Sequence, residues 1–305
     1  MELIFRNKNL SLDSPAVMGI LNVTPDSFFD GGKFTNERAL FLHAKKMISE
    51  GADIIDIGAC STRPNASRVL GTEGEELKRL IPAIKLVRKK FADVIISADT
   101  FRSKVAEEAV NHGADMINDI SGGSIIASAA KQSPSMFETI AKLKVPYILM
   151  HIQGIPQTMQ ANPQYKDVVK EVKEYFKEKI GRMEEWKNGR LILDVGFGFG
   201  KTIEHNYALL KNLGEFKEFG FPILVGISRK SMLNKVLGTK PEEALNGTTA
   251  TNTIALMNGA NILRVHDVKE AKEAVKIFKQ VTVSGIRSTV QQPTNRKLVK
   301  LDSKP

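Results

Sequence analysis

Two short segments place cations where an anion could be held. Ser228-Arg229-Lys230-Ser231 follows the apolar run Ile223 to Ile227, and Arg264-Val265-His266 follows Ile262-Leu263. A helix opening at about Ser231 would present free backbone N–H groups, and Lys230 adds a full charge beside them. Alternation along an extended strand puts Arg264 and His266 on one side, where a guanidinium fork and an imidazole can hold a diphosphate together. The plainer readings are a solvated lysine at a helix start and a buried arginine paired with a structural carboxylate.

Asp99, Asn118 and Asp194 likewise each close an apolar run. Carboxylates beside an amide match the donor and acceptor edge of a flat, nitrogen-rich heterocycle, although any one of them alone reads as a satisfied core polar group or a helix cap. Gly196, Gly198 and Gly200 alternate with Phe197 and Phe199 before Lys201. That spacing is neither GxxxxGKS/T nor GxGxxG, so the glycines are read as letting the backbone approach a ligand, with Phe199 as an apolar wall. Met150 lines the same pocket, while its neighbour His151 has no HxH or HExxH partner and reads as a packing histidine. No Ser/His/Asp or Cys/His set is evident, so no covalent nucleophile is assigned.

These residues share a position in the pattern. Eight apolar runs end at Asn22, Gly58, Asp99, Asn118, His151, Asp194, Ser228 and Arg264, each far enough from the next for a crossover helix, so that all the strands can run parallel. Parallel sheets carry their ligands at the carboxyl ends of the strands. Between two of the runs, Arg102 to His112 shows a helical stripe of Val105, Ala106, Ala109 and Val110. Gly51-Ala52-Asp53, Gly113-Ala114-Asp115 and Gly259-Ala260-Asn261 each precede a strand, where a left-handed glycine can end a helix and turn the chain inward.

Eight such units predict a single closed (β/α)8 TIM barrel within residues 1–280. The alternative, a doubly wound open sheet, lacks a glycine-rich turn after the first strand. Residues 1–14 read as a β-hairpin, Leu3-Ile4-Phe5 with Leu10-Ser11-Leu12, closing the barrel's bottom. Residues 281–305 carry Arg287, Arg296, Lys297, Lys300 and Lys304 against Asp302, a basic tail by composition. Two strand-to-helix connections, from Asn22 to Gly32 and from Gly58 to about Glu73, have the length and the Gly, Pro and charged content of functional lids.

The composition, 42% hydrophobic and 26% charged, is that of an ordinary globular protein with material for a sizeable core. No apolar stretch approaches a membrane span and the first residues carry no signal-peptide pattern, so a cytoplasmic protein without a membrane partner is expected. Cys60 is the single cysteine, which excludes an intramolecular disulfide and a cysteine metal site. The net charge of +10 would steer anionic substrates, but the basic residues are interleaved with acidic ones, as in 171–179, and no nucleic-acid partner is expected.

Seven segments, in order, carry a resemblance: Gly19 to Phe28, Ser61-Thr62-Arg63-Pro64, Ile117-Asn118-Asp119, Leu149-Met150-His151, Gly196 to Lys201, Ser228 to Met232 and Ile262 to Asp267. With them the chain resembles the dihydropteroate synthase family from about Val17 to Phe278. The resemblance implies Mg2+-assisted condensation of 6-hydroxymethyl-7,8-dihydropterin diphosphate with 4-aminobenzoate, giving 7,8-dihydropteroate and diphosphate, by a homodimer. It implies that Asp99, Asn118, Asp194 and Lys230 hold the pterin, with Met150 and Phe199 packed beside it. Thr62, Arg63, Arg264 and His266 would bind the diphosphate, Asn22 would contact Mg2+, and Ser231 would dock the aminobenzoate carboxylate. Asp30 would steady positive charge at the reacting carbon.

The chain departs from the family at Ala59-Cys60, where Gly-Glu is common, at Asn65 in place of a glycine, at Val195 in place of a proline, and in a longer Ser124 to Ser135 segment. The Cys60 change removes a carboxylate that could brace the second connection. A rival reading is a pterin-binding barrel that moves a methyl group from a folate to a corrinoid. It shares the floor of Asp99, Asn118 and Asp194 but has no use for Thr62, Arg63, Lys230, Arg264 and His266 as a diphosphate set. A non-catalytic pterin or nucleic-acid binding module would need only the floor or only the tail.

Overall fold

The structure is a computed structural model that describes residues 1–23, 33–60, 71–123, 134–156, 158–183 and 189–284. Eight parallel strands close a barrel: β3 (Ala16–Asn22), β4 (Ile54–Gly58), β5 (Ile95–Asp99), β6 (Met116–Asp119), β7 (Tyr147–Met150), β8 (Leu191–Asp194), β9 (Ile223–Val225) and β10 (Ile262–Val265), with β10 pairing both β9 and β3. Helices α1 (Lys33–Ser49), α2 (Glu73–Lys90), α3 (Ser103–Asn111), α4 (Met136–Leu143), α5 (Val168–Gly181), α6 (Ile203–Lys211), α7 (Ser231–Leu237), α8 (Leu245–Met257) and α9 (Val268–Ser284) lie between and after the strands. The expected barrel is present. No helix among the described residues is long and apolar enough to cross a membrane.

Side-chain alternation divides the barrel interior into an apolar lower layer and a polar upper one. Ile54, Ile95, Met116, Ile192 and Ile262 form one buried cluster with Leu3, Phe5 and Leu12. The hairpin of β1 (Glu2–Ile4) and β2 (Asn9–Ser11), paired antiparallel with Leu3 opposite Leu10, therefore plugs the barrel's bottom. Two residues further along the same five strands come Asp56, Ser97, Asn118, Asp194 and Arg264, which the period of two keeps on the interior side. The intervening residues, among them Ile55, Ile96, Ile117, Leu193 and Leu263, face outward and pack under the helices.

The repeated Gly-Ala-Asp/Asn segments are one device used three times. Gly51, Gly113 and Gly259 all take positive φ. The N–H of the following Ala52, Ala114 or Ala260 donates back into the helix, to Met47, Ala109 or Ala255 O. The next residue then grips the strand alongside. Asp53, Asp115 and Asn261 donate their N–H to Val17, Ile96 and Ile223 O. The side chains of the same three residues accept the N–H groups of those strand residues at 2.7, 2.8 and 2.9 Å. Each strand entry is thereby registered against its neighbour, which fixes the height of the polar layer.

Some expected boundaries shift. β6 continues to Asp119, whose carboxylate accepts from Ser121 N, Gly123 N and Tyr147 Oη. β9 stops at Val225, so Ser228 stands in the turn beyond it. α9 continues past residue 280 to Ser284, and the rest of the expected basic tail, from 285, lies outside the described residues.

Candidate active site

The upper layer is built around one arginine. Arg264 donates from Nε to Asp56 Oδ2 at 2.6 Å and from Nη2 to Asp99 Oδ2 at 2.7 Å. Asn118 Nδ2 donates to the same Asp56 oxygen at 3.0 Å. Buried ions are tolerated when paired in this way. Among the described residues, the buried Asp56 Oδ1 and Ser97 Oγ meet no hydrogen-bond partner, so the floor keeps polar atoms to be satisfied. Burial works against the Arg264 charge, but Asp56 and Asp99 outweigh it and hold the guanidinium above its ordinary value. Burial, aided by Asp56 and opposed by Arg264, pushes Asp99 up to about 7.

Lys230 and Asp194 form the adjoining wall. Asp194 Oδ1 accepts from Gly196 N at 2.8 Å, and burial raises its carboxyl against the pull of Lys230. Lys230 Nζ donates to Phe197 O and stands 4.7 Å above the centre of the Phe199 ring, a cation–π geometry. Burial lowers the Lys230 ammonium to about 8, with Asp194 pulling it up and Arg264 pushing it down. Gly226 lies against both cations: a Cβ there would be in ordinary contact, 3.8 Å from Arg264 Cβ and 4.0 Å from Lys230 Nζ. Met150 is buried with Phe101 and Ile120, and Phe199 packs on that cluster as the apolar side of the mouth.

The turns after β9 and β10 hold each other. Ser228 Oγ lies 3.0 Å from His266 Nδ1 and accepts from His266 N at 3.2 Å, and Arg229 grips Asp267 with Nε at 3.0 Å and Nη2 at 2.6 Å. Arg229 takes φ 57, unusual for a residue with a side chain. This turns its guanidinium to Asp267 and the next side chain, Lys230, toward the floor.

Asp99, Asn118, Asp194, Lys230 and Arg264 are thus brought together as expected. Arg264 has two of its three nitrogens, Nε and Nη2, committed to carboxylates. His266 stands at the rim, and Ser231 is exposed at the start of α7, beside a cavity of about 280 Å3 that Gln160, Thr202 and Lys235 also line. Asn22 closes β3 beside Asp99: a Cβ on the intervening Gly58 would lie 3.6 Å from Asn22 Oδ1 and 3.4 Å from Asp99 Oδ2. Asp30, Thr62 and Arg63 lie outside the described residues, as do 124–133 of the longer segment. At the Cys60 departure, Arg102 pairs with buried Glu76 and donates to Cys60 Sγ at 3.4 Å and Gly71 O at 2.8 Å. A carboxylate is therefore present at the base of the second connection, contributed by α2.

Two residues of the site escaped the sequence reading. Asp56 was hidden inside an apolar run, although a lone carboxylate sharing parity with Ile54 signals a buried pair. In the sequence Lys201 reads only as the end of the glycine run. It is 3% exposed, donating from Nζ to His151 Nδ1, Gly196 O and Phe199 O. His151 accordingly keeps its packing role, as expected.

A closed parallel barrel with a carboxylate, amide and cation floor at its carboxyl-end mouth defines a class, the pterin-binding (β/α)8 enzymes, and the sequence profile described as "pterin binding enzyme" matches residues 18–266. Within that class the chain belongs to the dihydropteroate synthase family. It is 46% identical to dihydropteroate synthase of Haemophilus influenzae, over 91% of this chain and 98% of that one, and 47% identical to that of Escherichia coli, over 93% and 98%. Among solved structures, the Yersinia pestis dihydropteroate synthase with a sulfonamide drug complex superposes with a TM-score of 0.84 at 43% identity, covering 93% of this chain and all of that one. The Xanthomonas albilineans dihydropteroate synthase with 4-aminobenzoic acid gives 0.81 at 39%, covering 92% and 98%.

Proposed function

We propose that this chain joins 6-hydroxymethyl-7,8-dihydropterin diphosphate to 4-aminobenzoate, releasing diphosphate and forming 7,8-dihydropteroate. The observation that carries the reading is the set of buried Asp56, Asn118 and Asp194 with half-buried Asp99, Lys230 and Arg264, in which Asp56 Oδ1 meets no partner among the described residues. A pterin's 2-amino-4-oxopyrimidine edge presents adjacent donors and an acceptor, which carboxylates, an amide and the Lys230 ammonium can read together. Phe199 and Met150 give its ring an apolar side.

In the reaction the bond from the exocyclic methylene carbon to the diphosphate oxygen breaks, and its electron pair leaves with diphosphate. The electron-rich dihydropterin spreads the resulting positive charge. The amine lone pair of 4-aminobenzoate forms the new carbon–nitrogen bond, and the amine proton passes to solvent. The site's tasks are therefore to hold the leaving group and to exclude water rather than to supply a strong base. His266, the free edge of Arg264, Thr62 and Arg63 serve the diphosphate in this reading, Asp30 steadies the reacting carbon, and Ser231 at the start of α7 receives the aminobenzoate carboxylate.

Among the described residues no group of three or more His, Cys, Asp or Glu could hold a metal ion. The residues present fit an ion that arrives with its substrate: Asn22 Oδ1 near Asp99 suits Mg2+, which keeps waters and phosphate oxygens as its other ligands. When bound, Mg2+ would neutralise charge on the departing diphosphate. The cytoplasmic location belongs to the same reading, as does a homodimer. Exposed Val236 and Leu237 on α7, Ile254 and Met257 on α8 and Ile277 on α9 offer it an apolar face, and light scattering at a single subunit mass would remove that part.

Turnover of two variants tests the site. Lys230→Ala and Arg264→Ala should each lower kcat/KM by about a hundredfold or more, in keeping with loss of a charge-assisted contact in a dry site. Normal rates in either folded variant would show the site to be misplaced.

A further inference from the structure

The loop 196–200 has every one of its carbonyls taken by a side chain. Gly196 O and Phe199 O accept from Lys201 Nζ at 2.9 and 3.0 Å, Phe197 O from Lys230 Nζ, Gly198 O from Gln160 Nε2, and Gly200 O from Tyr165 Oη at 2.9 Å. The glycines permit this because Gly196, Gly198 and Gly200 have φ 71, 80 and 61, which turns successive carbonyls outward. Lys201 holds two of the five, and its Nζ is also hydrogen-bonded to His151 Nδ1, 2.9 Å away.

We propose that Lys201, acting through His151, is a positioning residue for pterin binding: it ties the loop to the end of β7 so that Phe199 and the Phe197 carbonyl aim Lys230 at the floor. This rests on the function proposed above. Lys201 cannot touch the substrate itself, being 3% exposed with its Nζ held beneath the loop by Gly196 O, Phe199 O and His151 Nδ1. Its reach covers both sides of Phe197, the residue whose carbonyl receives Lys230. The loop is anchored at the other end too, since His151 N donates to Asp194 O at 2.9 Å and Gly196 N to Asp194 Oδ1 at 2.8 Å.

The geometry leaves little freedom. A Cβ on Gly196 would stand 1.9 Å from His151 O, so the loop and the end of β7 are in direct contact. The His151 ring is held edge-on to Tyr175, with centroids 4.8 Å apart at 81°, and also meets Tyr165. Burial and the Lys201 charge hold its imidazole well below the ordinary range, so the ring is neutral and Nδ1 can accept from the ammonium. The cost is visible on the lysine, whose ammonium burial lowers to about 7. A buried lysine kept at that cost, away from the substrate, fits a residue retained for placement.

The test compares wild type with Lys201→Met, His151→Leu and His151→Asn, whose Oδ1 can accept where Nδ1 does. Two quantities are read: the Kd for 6-hydroxymethylpterin, which lacks the diphosphate, and the KM for each substrate with the other saturating. Near-ultraviolet circular dichroism checks folding. Lys201→Met and His151→Leu should weaken pterin binding and raise the pterin diphosphate KM about tenfold or more, leave the 4-aminobenzoate KM within about twofold, and be matched by no such loss in His151→Asn. A folded Lys201→Met with wild-type pterin affinity would overturn the proposal, as would equal loss toward both substrates or equal damage in the two His151 variants. If Lys201→Met does not fold, the His151 pair decides. Wild-type protein that binds no pterin would instead defeat the proposed function.

Discussion

Arg264 Nε lies 2.6 Å from Asp56 Oδ2, a contact made across the barrel interior, because β3 stands between their strands β10 and β4. The pair makes Asp56 the keystone of the floor. Asp56→Asn should keep the fold while weakening 6-hydroxymethylpterin at least tenfold, since it loses the charge that orients Arg264 and Asn118. Asp56→Leu should cost about 3–5 kcal/mol of unfolding free energy by leaving Arg264 underpaired. Calorimetry and pterin titration measure both, and an Asp56→Asn protein that binds like wild type would remove Asp56 from the site.

Asp53 provides the contrast on the same chain segment. Its carboxylate accepts from Val17 N at 2.7 Å and from Lys272 Nζ at 2.6 Å, contacts that register β3 rather than bind substrate. Asp53→Ala should lower stability by about 1–3 kcal/mol, the cost of a buried donor left unpaired, with KM values unchanged. A selective rise in the pterin KM without loss of stability would contradict that division of labour.

Two groups of the floor should make turnover depend on pH with opposite signs, and Lys201 beneath the loop, lowered to about 7, adds an alkaline loss of its own. Lys230, lowered to about 8, loses its proton above that pH, and with it the attraction to Asp194 and the contact with Phe199. Asp99, raised to about 7, gains a proton below that pH and ceases to pair as an ion with Arg264. The kcat/KM for pterin diphosphate should therefore fall on both sides of this interval. Lys230→Arg, whose guanidinium stays charged, should carry the alkaline limb upward by about one unit or more. An alkaline limb that stays in place would assign it to another group.

Cys60 should be inert in the folded protein. Burial, reinforced by Glu76 and opposed by Arg102, pushes its thiol up to about 12, which leaves about a thousandfold less thiolate at pH 8 than an ordinary cysteine has. Iodoacetamide labelling followed by mass spectrometry should be at least about a hundredfold slower in the native state than in urea. Equal rates would mean that the Arg102, Glu76 and Cys60 cluster opens readily.

The barrel was legible because the strand exits and three of the strand entries carry signals of their own. The Gly-Ala-Asp/Asn segments mark the entries, and polar residues at the ends of apolar runs mark the exits. Asp99, Asn118, Asp194 and Arg264 could be collected from that pattern, and Lys230 from the basic segment that follows Ser228. Their contacts could not. Arg264 pairs with a carboxylate two strands away, which depends on the stagger of the closed sheet and not on spacing along the chain. Lys201 was illegible for the opposite reason: a lysine beside glycines looks solvent-facing until the loop is seen to fold over it.

The most direct test is steady-state release of diphosphate by the purified chain supplied with Mg2+, 6-hydroxymethyl-7,8-dihydropterin diphosphate and 4-aminobenzoate. The account predicts diphosphate and 7,8-dihydropteroate in equal amounts, with formation dependent on the aminobenzoate. Absence of both products from folded protein that binds the pterin would contradict it.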